Sequence, residues 1–158
     1  MANKRILVTG PESSGTKMVC ALLRQAGAVV THSSPNYKSE QDSTPHDIGD
    51  FDDVVLVVRN GFCNMKSMLD AGHAESEEEA AWMIGNGLKF ILTTHDLWTD
   101  NLHVVTYESL VHEEEALLTL CKTLGLDASK IVDKVGDGNA KYYGGEYFRD
   151  QRDLHHRE

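Results

Sequence analysis

Residues 5 to 18, RILVTGPESSGTKM, set a short β-rich apolar run directly before a glycine-bounded turn and the start of a helix. In GTKMVCALLRQAG, Met18, Leu22, Leu23 and Ala26 fall on one helical stripe that Gly27 ends. Strand, turn and helix in this order constrain the chain strongly, because the amides of a helix's first turn point back at such a loop and favour an anion there. Gly10 and Gly15 let the backbone turn tightly, so the amides of residues 13 to 17 can face a phosphate, with hydroxyls from Ser14 and Thr16 and a charge from Lys17. The turn departs from the ATP-binding pattern G-x-x-x-x-G-K-[ST] by one inversion: Gly15 is followed by Thr16 and only then by Lys17. An ATPase also needs a hydroxyl after the lysine to hold magnesium, and that position is Met18.

The alternation continues down the chain. AVVTH reads as a second strand, DVVLVV as a strand buried on both faces, and NLHVVTY as a fourth. GFCNMKSMLDAG can form a helix between them. ESEEEAAWMIGNGLKFILTTHDLW reads as a helix with acids in its first turn and Ala81, Ile84, Leu88 and Ile91 on its apolar stripe. HEEEALLTLCKTLGL gives another, with Leu117, Cys121 and Leu124 inward and Gly125 as its stop, and DASKIVDKV a last short helix begun by Asp127. The stretch from Ser33 to Asp50 is polar and reads as a long mobile loop; the tail after Gly136 reads as irregular. Strands alternating with helices predict an α/β fold, a small parallel sheet of about four strands flanked by helices, with ligands at the carboxyl ends of the strands. A length of 158 residues with 41% hydrophobic content fits a single domain.

That geometry gathers two further chemical groups beside the loop. Arg59 stands where DVVLVV ends and Ser67 lies eight residues on in the next helix, so both can reach one phosphate. An internal salt bridge to one of the chain's many acids is the competing role for Arg59. His32 falls at the end of the second strand, where a neutral imidazole can take a proton from a hydroxyl; His46 is the reserve candidate, and a surface or core role competes for both.

Charge narrows the partners. With 25 acidic against 15 basic residues the formal net charge is −10, which argues against a general nucleic-acid or membrane-surface binder. Cys20, Cys63 and Cys121 are widely spaced and lack metal-ligand spacing, so they read as reduced, buried thiols of a soluble cytoplasmic protein; the start MANKRILVTG lacks the apolar segment of a signal peptide. No metal site is expected.

These features together resemble the sulfotransferases that use 3'-phosphoadenosine 5'-phosphosulfate (PAPS). Their first loop reads S-G-T-[TS], which Ser14, Gly15 and Thr16 match, and in that family it holds the 5'-phosphosulfate without magnesium. An arginine ending a strand and a serine eight residues later grip the 3'-phosphate there, and Arg59 and Ser67 match both. THSSP, Thr31 to Pro35, is similar to a T-H-x-P stretch whose histidine is the base, and VVTYESL to a Y-E-x-L segment in which Tyr107 corresponds to a residue near the adenine. The likeness spans about residues 5 to 126.

The resemblance implies a three-layer P-loop-like fold and metal-independent transfer of a sulfuryl group from PAPS to a small-molecule, glycan or peptide acceptor. His32 and Lys17 would be catalytic, with Ser13, Ser14, Gly15, Thr16, Lys17, Met18, Arg59, Ser67, Tyr107 and Lys141 around the nucleotide. Ser13 stands where the family often carries a basic residue, Met18 where an aromatic often stacks on adenine, and Lys141 with Gly145 is what remains of a late K-G-x-x-G segment. Two other readings stay open: a nucleotide kinase or ATPase, since GPESSG also begins the loop of bacterial recombination ATPases, and a nucleotide-binding module without turnover.

Overall fold

The computed structural model describes residues 3–33, 50–94, 101–133 and 135–142. Its frame is a four-stranded sheet of β1 (Arg5–Thr9), β2 (Val29–Ser33), β3 (Asp53–Val58) and β4 (Leu102–Thr106), in the order β2-β1-β3-β4. Every pairing is parallel, with Val8 opposite His32 on one side and Thr9 opposite Leu56 on the other. Parallel strands need crossovers: α1 (Thr16–Gln25) joins β1 to β2, and α2 (Gly61–Asp70) with α3 (Glu77–Thr94) joins β3 to β4, while α4 (Tyr107–His112) and α5 (Glu114–Leu124) follow the last strand.

Helices cover both faces, as the unbroken apolar run of β3 requires. On one face Ile6, Val8, Val55 and Val57 pack with Val19, Leu23, Leu120 and Leu124 of α1 and α5. On the other, Leu7, Val54 and Leu56 meet Ile91 of α3, with Leu88 packed alongside. The result is a three-layer, P-loop-like α/β fold. Below the sheet, at the amino ends of its strands, buried Asp53 joins Lys4 (2.9 Å) and His103 (2.8 Å), a clasp on the side away from the opening loop. No helix among the described residues is long and apolar enough to cross a membrane.

Four local expectations change. The second strand continues through Ser33, which is buried, so only residues 34–49 separate it from the short turn at Asp50; they lie outside the described residues. Tyr107 begins a helix instead of ending a strand, because the Thr106 hydroxyl accepts from the amide of Ser109 and caps α4. The inward residues of α3 are Ala80, Met83 and Ile91, while Ala81 is exposed. The helix serves two surfaces: Ala80 and Met83 pack on Met68 of α2, and Ile91 on the sheet.

DASKIVDKV makes only one 3-10 turn, Ala128–Lys130, capped by Asp127. The amides of Val132 and Asp133, which a helix would use, go instead to the side-chain oxygen of Gln25 (3.0 and 3.2 Å), so the chain is tied to the last residue of α1.

All three cysteines are free and buried, and burial pushes each thiol above its ordinary pKa. Iodoacetamide at neutral pH should therefore leave the native protein almost unlabelled and modify all three thiols in guanidinium chloride. Fast native labelling, read by mass spectrometry, would show that this packing is wrong.

Candidate functional site

The sheet order puts the topological switch point between β1 and β3, where the connections leave to opposite sides and sheets of this kind hold their ligands. The loop after β1 and the residues after β3 face each other across it. Residues 10 to 15 build a compact turn: the Ser14 amide donates to the Pro11 carbonyl (3.1 Å) and Ser13 takes the left-handed φ of 61°. The Ser13 amide leans toward the Glu12 carboxylate (3.3 Å). The anion-facing donors are therefore fewer than the five expected: Ser13 and Ser14 spend theirs inside the loop, leaving Gly15 and the first amides of α1.

Two neighbours hold this turn. Asn64 of α2 donates to the Glu12 carbonyl (2.6 Å), and the Tyr107 ring lies against Gly15. Gly15 has φ 99°, and a Cβ there would sit 2.5 Å from Tyr107 Cδ2, so two independent reasons demand glycine. Gly15→Ala should cost about 2 kcal/mol of stability from backbone strain and crowding. Equal chemical-denaturation midpoints for the variant and the parent would refute this packing.

Three buried polar atoms at the loop have no hydrogen-bond partner among the described residues: Thr9 Oγ1 just before it, Ser14 Oγ within it, and Asn64 Oδ1 beside it. Such groups are rare in folded proteins and cluster at functional positions.

His32 reaches the loop from β2. Its Nε2 lies 2.8 Å from Thr16 Oγ1, and the hydroxyl donates to it when the ring proton sits on Nδ1. Burial lowers the pKa of His32; Glu12 opposes this, and the cations Lys17 and Arg24 reinforce it. Burial thus favours the neutral imidazole beside the turn. Lys17 is exposed at the start of α1. Met18 is half-buried and packs on the core around α1.

Arg59 approaches from the end of β3. Its Nη1 donates to the Ser13 carbonyl (2.9 Å) and its Nε to Asn139 Oδ1 (2.6 Å), with the guanidinium 4.7 Å from the centre of the Tyr107 ring and 6.0 Å from that of Tyr142. These partners are neutral, and among the described residues Arg59 makes no ion pair with a carboxylate. Glu108, the nearby acid, is engaged instead by the Asn60 amide (2.7 Å) and the Asn139 side chain (2.8 Å). A guanidinium with no carboxylate partner among the described residues, held beside a glycine-bounded turn, is the kind of arrangement that suits an anion.

No known family model and no curated protein matches this chain. Loop, His32, Arg59 and Tyr107 stand together. Ser67 is half-buried on the α2 face that also carries Cys63 and Asn64, one turn beyond the contact with the loop, and forms no hydrogen bond with Arg59. Tyr107 is almost wholly buried, and its hydroxyl is spent on the segment beyond α5, donating to the Gly136 carbonyl and accepting from the Gly138 amide (2.6 Å).

Lys141 lies in the turn Ala140–Tyr142, but its side chain is outside the described set. So are Gly145 and His46, with residues 34–49 and 143–158. Besides the Tyr142 ring, this segment brings Asn139 to Arg59 as its hydrogen-bond partner. Sequence reading passed it over because Asp-Gly-Asn is an ordinary turn composition, and nothing local marks its amide as buried.

Proposed function

We propose that this chain is a PAPS-dependent sulfotransferase that transfers a sulfuryl group to a hydroxyl or amine of a small-molecule, glycan or peptide acceptor. One juxtaposition carries this: the Arg59 guanidinium, without a carboxylate partner among the described residues, meets the glycine-bounded turn at the Ser13 carbonyl, so that two anion grips would lie side by side. A nucleotide with phosphates at both its 5' and 3' positions suits such a pair. The turn amides and α1 would take the 5'-phosphosulfate, and Arg59, assisted by Ser67, the 3'-phosphate.

In the proposed reaction the acceptor oxygen attacks sulfur in line, its proton passes to His32, and the bond between sulfur and the bridging phosphate oxygen breaks. The electron pair leaves with 3',5'-adenosine bisphosphate, steadied by Lys17 and the loop amides. His32 Nε2 would exchange the Thr16 hydroxyl for the acceptor. Met18 follows Lys17 where a magnesium-binding hydroxyl would stand, which favours metal-independent transfer over a kinase or ATPase. Buried, unbridged cysteines fit a cytoplasmic protein.

The test is transfer from 35S-labelled PAPS to a panel of phenols, sugars and peptides in EDTA. Label on any acceptor supports the enzyme; nucleotide binding with no transfer to any acceptor would leave a binding module, and activity restored only by magnesium with ATP would favour the kinase. Since burial lowers the pKa of His32, kcat/KM should rise with pH through an apparent value below about 6.5 and be level at neutrality. A rising limb centred above pH 7 would exclude His32 as the base.

A further inference from the structure

Arg59 is gripped by a residue eighty positions away that no motif marks. Asn139 is fully buried and all its polar atoms are used: Oδ1 accepts from Arg59 Nε (2.6 Å), Nδ2 donates to Glu108 Oε1 (2.8 Å), and the backbone amide donates to Asp137 Oδ1 (2.9 Å). Its orientation follows from chemistry. Glu108 as a carboxylate only accepts and Arg59 Nε–H only donates, so the amide nitrogen must face Glu108 and its oxygen the guanidinium. Glu108 is itself pinned by the Asn60 amide, next to Arg59 in the chain. Asp137, which orients the Asn139 backbone, pairs with His112 (3.2 Å).

Nε and one Nη1 hydrogen of Arg59 are thus taken, and Tyr107 fixes the plane. Among the described residues the second Nη1 hydrogen and both Nη2 hydrogens have no partner, so an N–H of each Nη can serve the outer edge.

We propose that Asn139 and Glu108 are positioning residues for Arg59: Asn139 holds Nε–H so that the Nη edge faces the ligand, and Glu108 fixes the Asn139 amide. A fork immobilised before the ligand arrives loses little freedom on binding, which strengthens its hold on a phosphate monoester. The consequence for affinity rests on Arg59 being the grip for the 3'-phosphate; the immobilisation itself does not.

Two measurements separate these. In 15N NMR of the ligand-free full chain, the Arg59 Nε–H should give a slowly exchanging signal that disappears in Asn139→Ala. It should return in the double variant Glu108→Gln, Asn139→Asp, where the carboxylate takes Nε–H and the glutamine amide donates back. Fast exchange in the parent protein, or unchanged protection in Asn139→Ala, would overturn the assignment.

In calorimetry with 3',5'-adenosine bisphosphate, Asn139→Ala should weaken binding about tenfold in the parent and not at all in an Arg59→Lys background, since lysine offers no Nε–H. An equal loss in both backgrounds would show that Asn139 acts without Arg59 and would refute the proposal. A protected Nε–H that Asn139→Ala releases, in a protein that binds no bisphosphate, supports the positioning role and refutes the nucleotide reading.

Discussion

Arg59→Ala is expected to weaken binding of 3',5'-adenosine bisphosphate by about 2 to 4 kcal/mol, roughly 30- to 1000-fold. The size follows from its surroundings. A guanidinium paired with a carboxylate would already be neutralised, and its loss would register mainly in stability. Here the partners are the Ser13 carbonyl, the Asn139 side chain and aromatic faces, so the charge stays available to a ligand. The variant also leaves Asn139 Oδ1 buried without its donor, which costs stability. Melting temperatures must therefore be measured beside the calorimetric affinities. Unchanged affinity in a folded Arg59→Ala protein would remove the second anion grip.

His32→Ala should lower turnover about 100-fold or more while leaving bisphosphate affinity within a few-fold of the parent. Burial keeps the imidazole neutral, and it sits 2.8 Å from a hydroxyl of the loop that would hold the transferring group. His32→Gln is the sharper variant, because an amide can still bond Thr16 but cannot take a proton at neutral pH. A similar loss in both variants assigns the chemistry to the imidazole. Normal turnover in His32→Gln would show that the ring only supports the loop and that the base lies elsewhere.

Much of this architecture is legible without coordinates, for reasons that differ by element. β3 announces itself because a strand covered on both faces must be apolar where helices pack on it, and after Asp53 the run VVLVV is. The opening turn is legible because left-handed backbone and close approach at Gly15 leave glycine few rivals. The register of α3 is not, because its two halves bury different faces and a single stripe averages them. The helix expected after Asp127 fails for a tertiary reason: a glutamine side chain on α1 takes the amides that the helix needs. Asn139 is illegible because its partners, Arg59 and Glu108, lie 80 and 31 residues away.

The most direct test is a calorimetric titration of the full chain with 3',5'-adenosine bisphosphate in EDTA, with magnesium ATP as the comparison ligand. Saturable binding at one site per chain, unaffected by the chelator and not displaced by magnesium ATP, is the expected result. No heat with the bisphosphate at millimolar concentration, or tight binding of magnesium ATP alone, would contradict a crevice built for a nucleotide carrying phosphates at both ends.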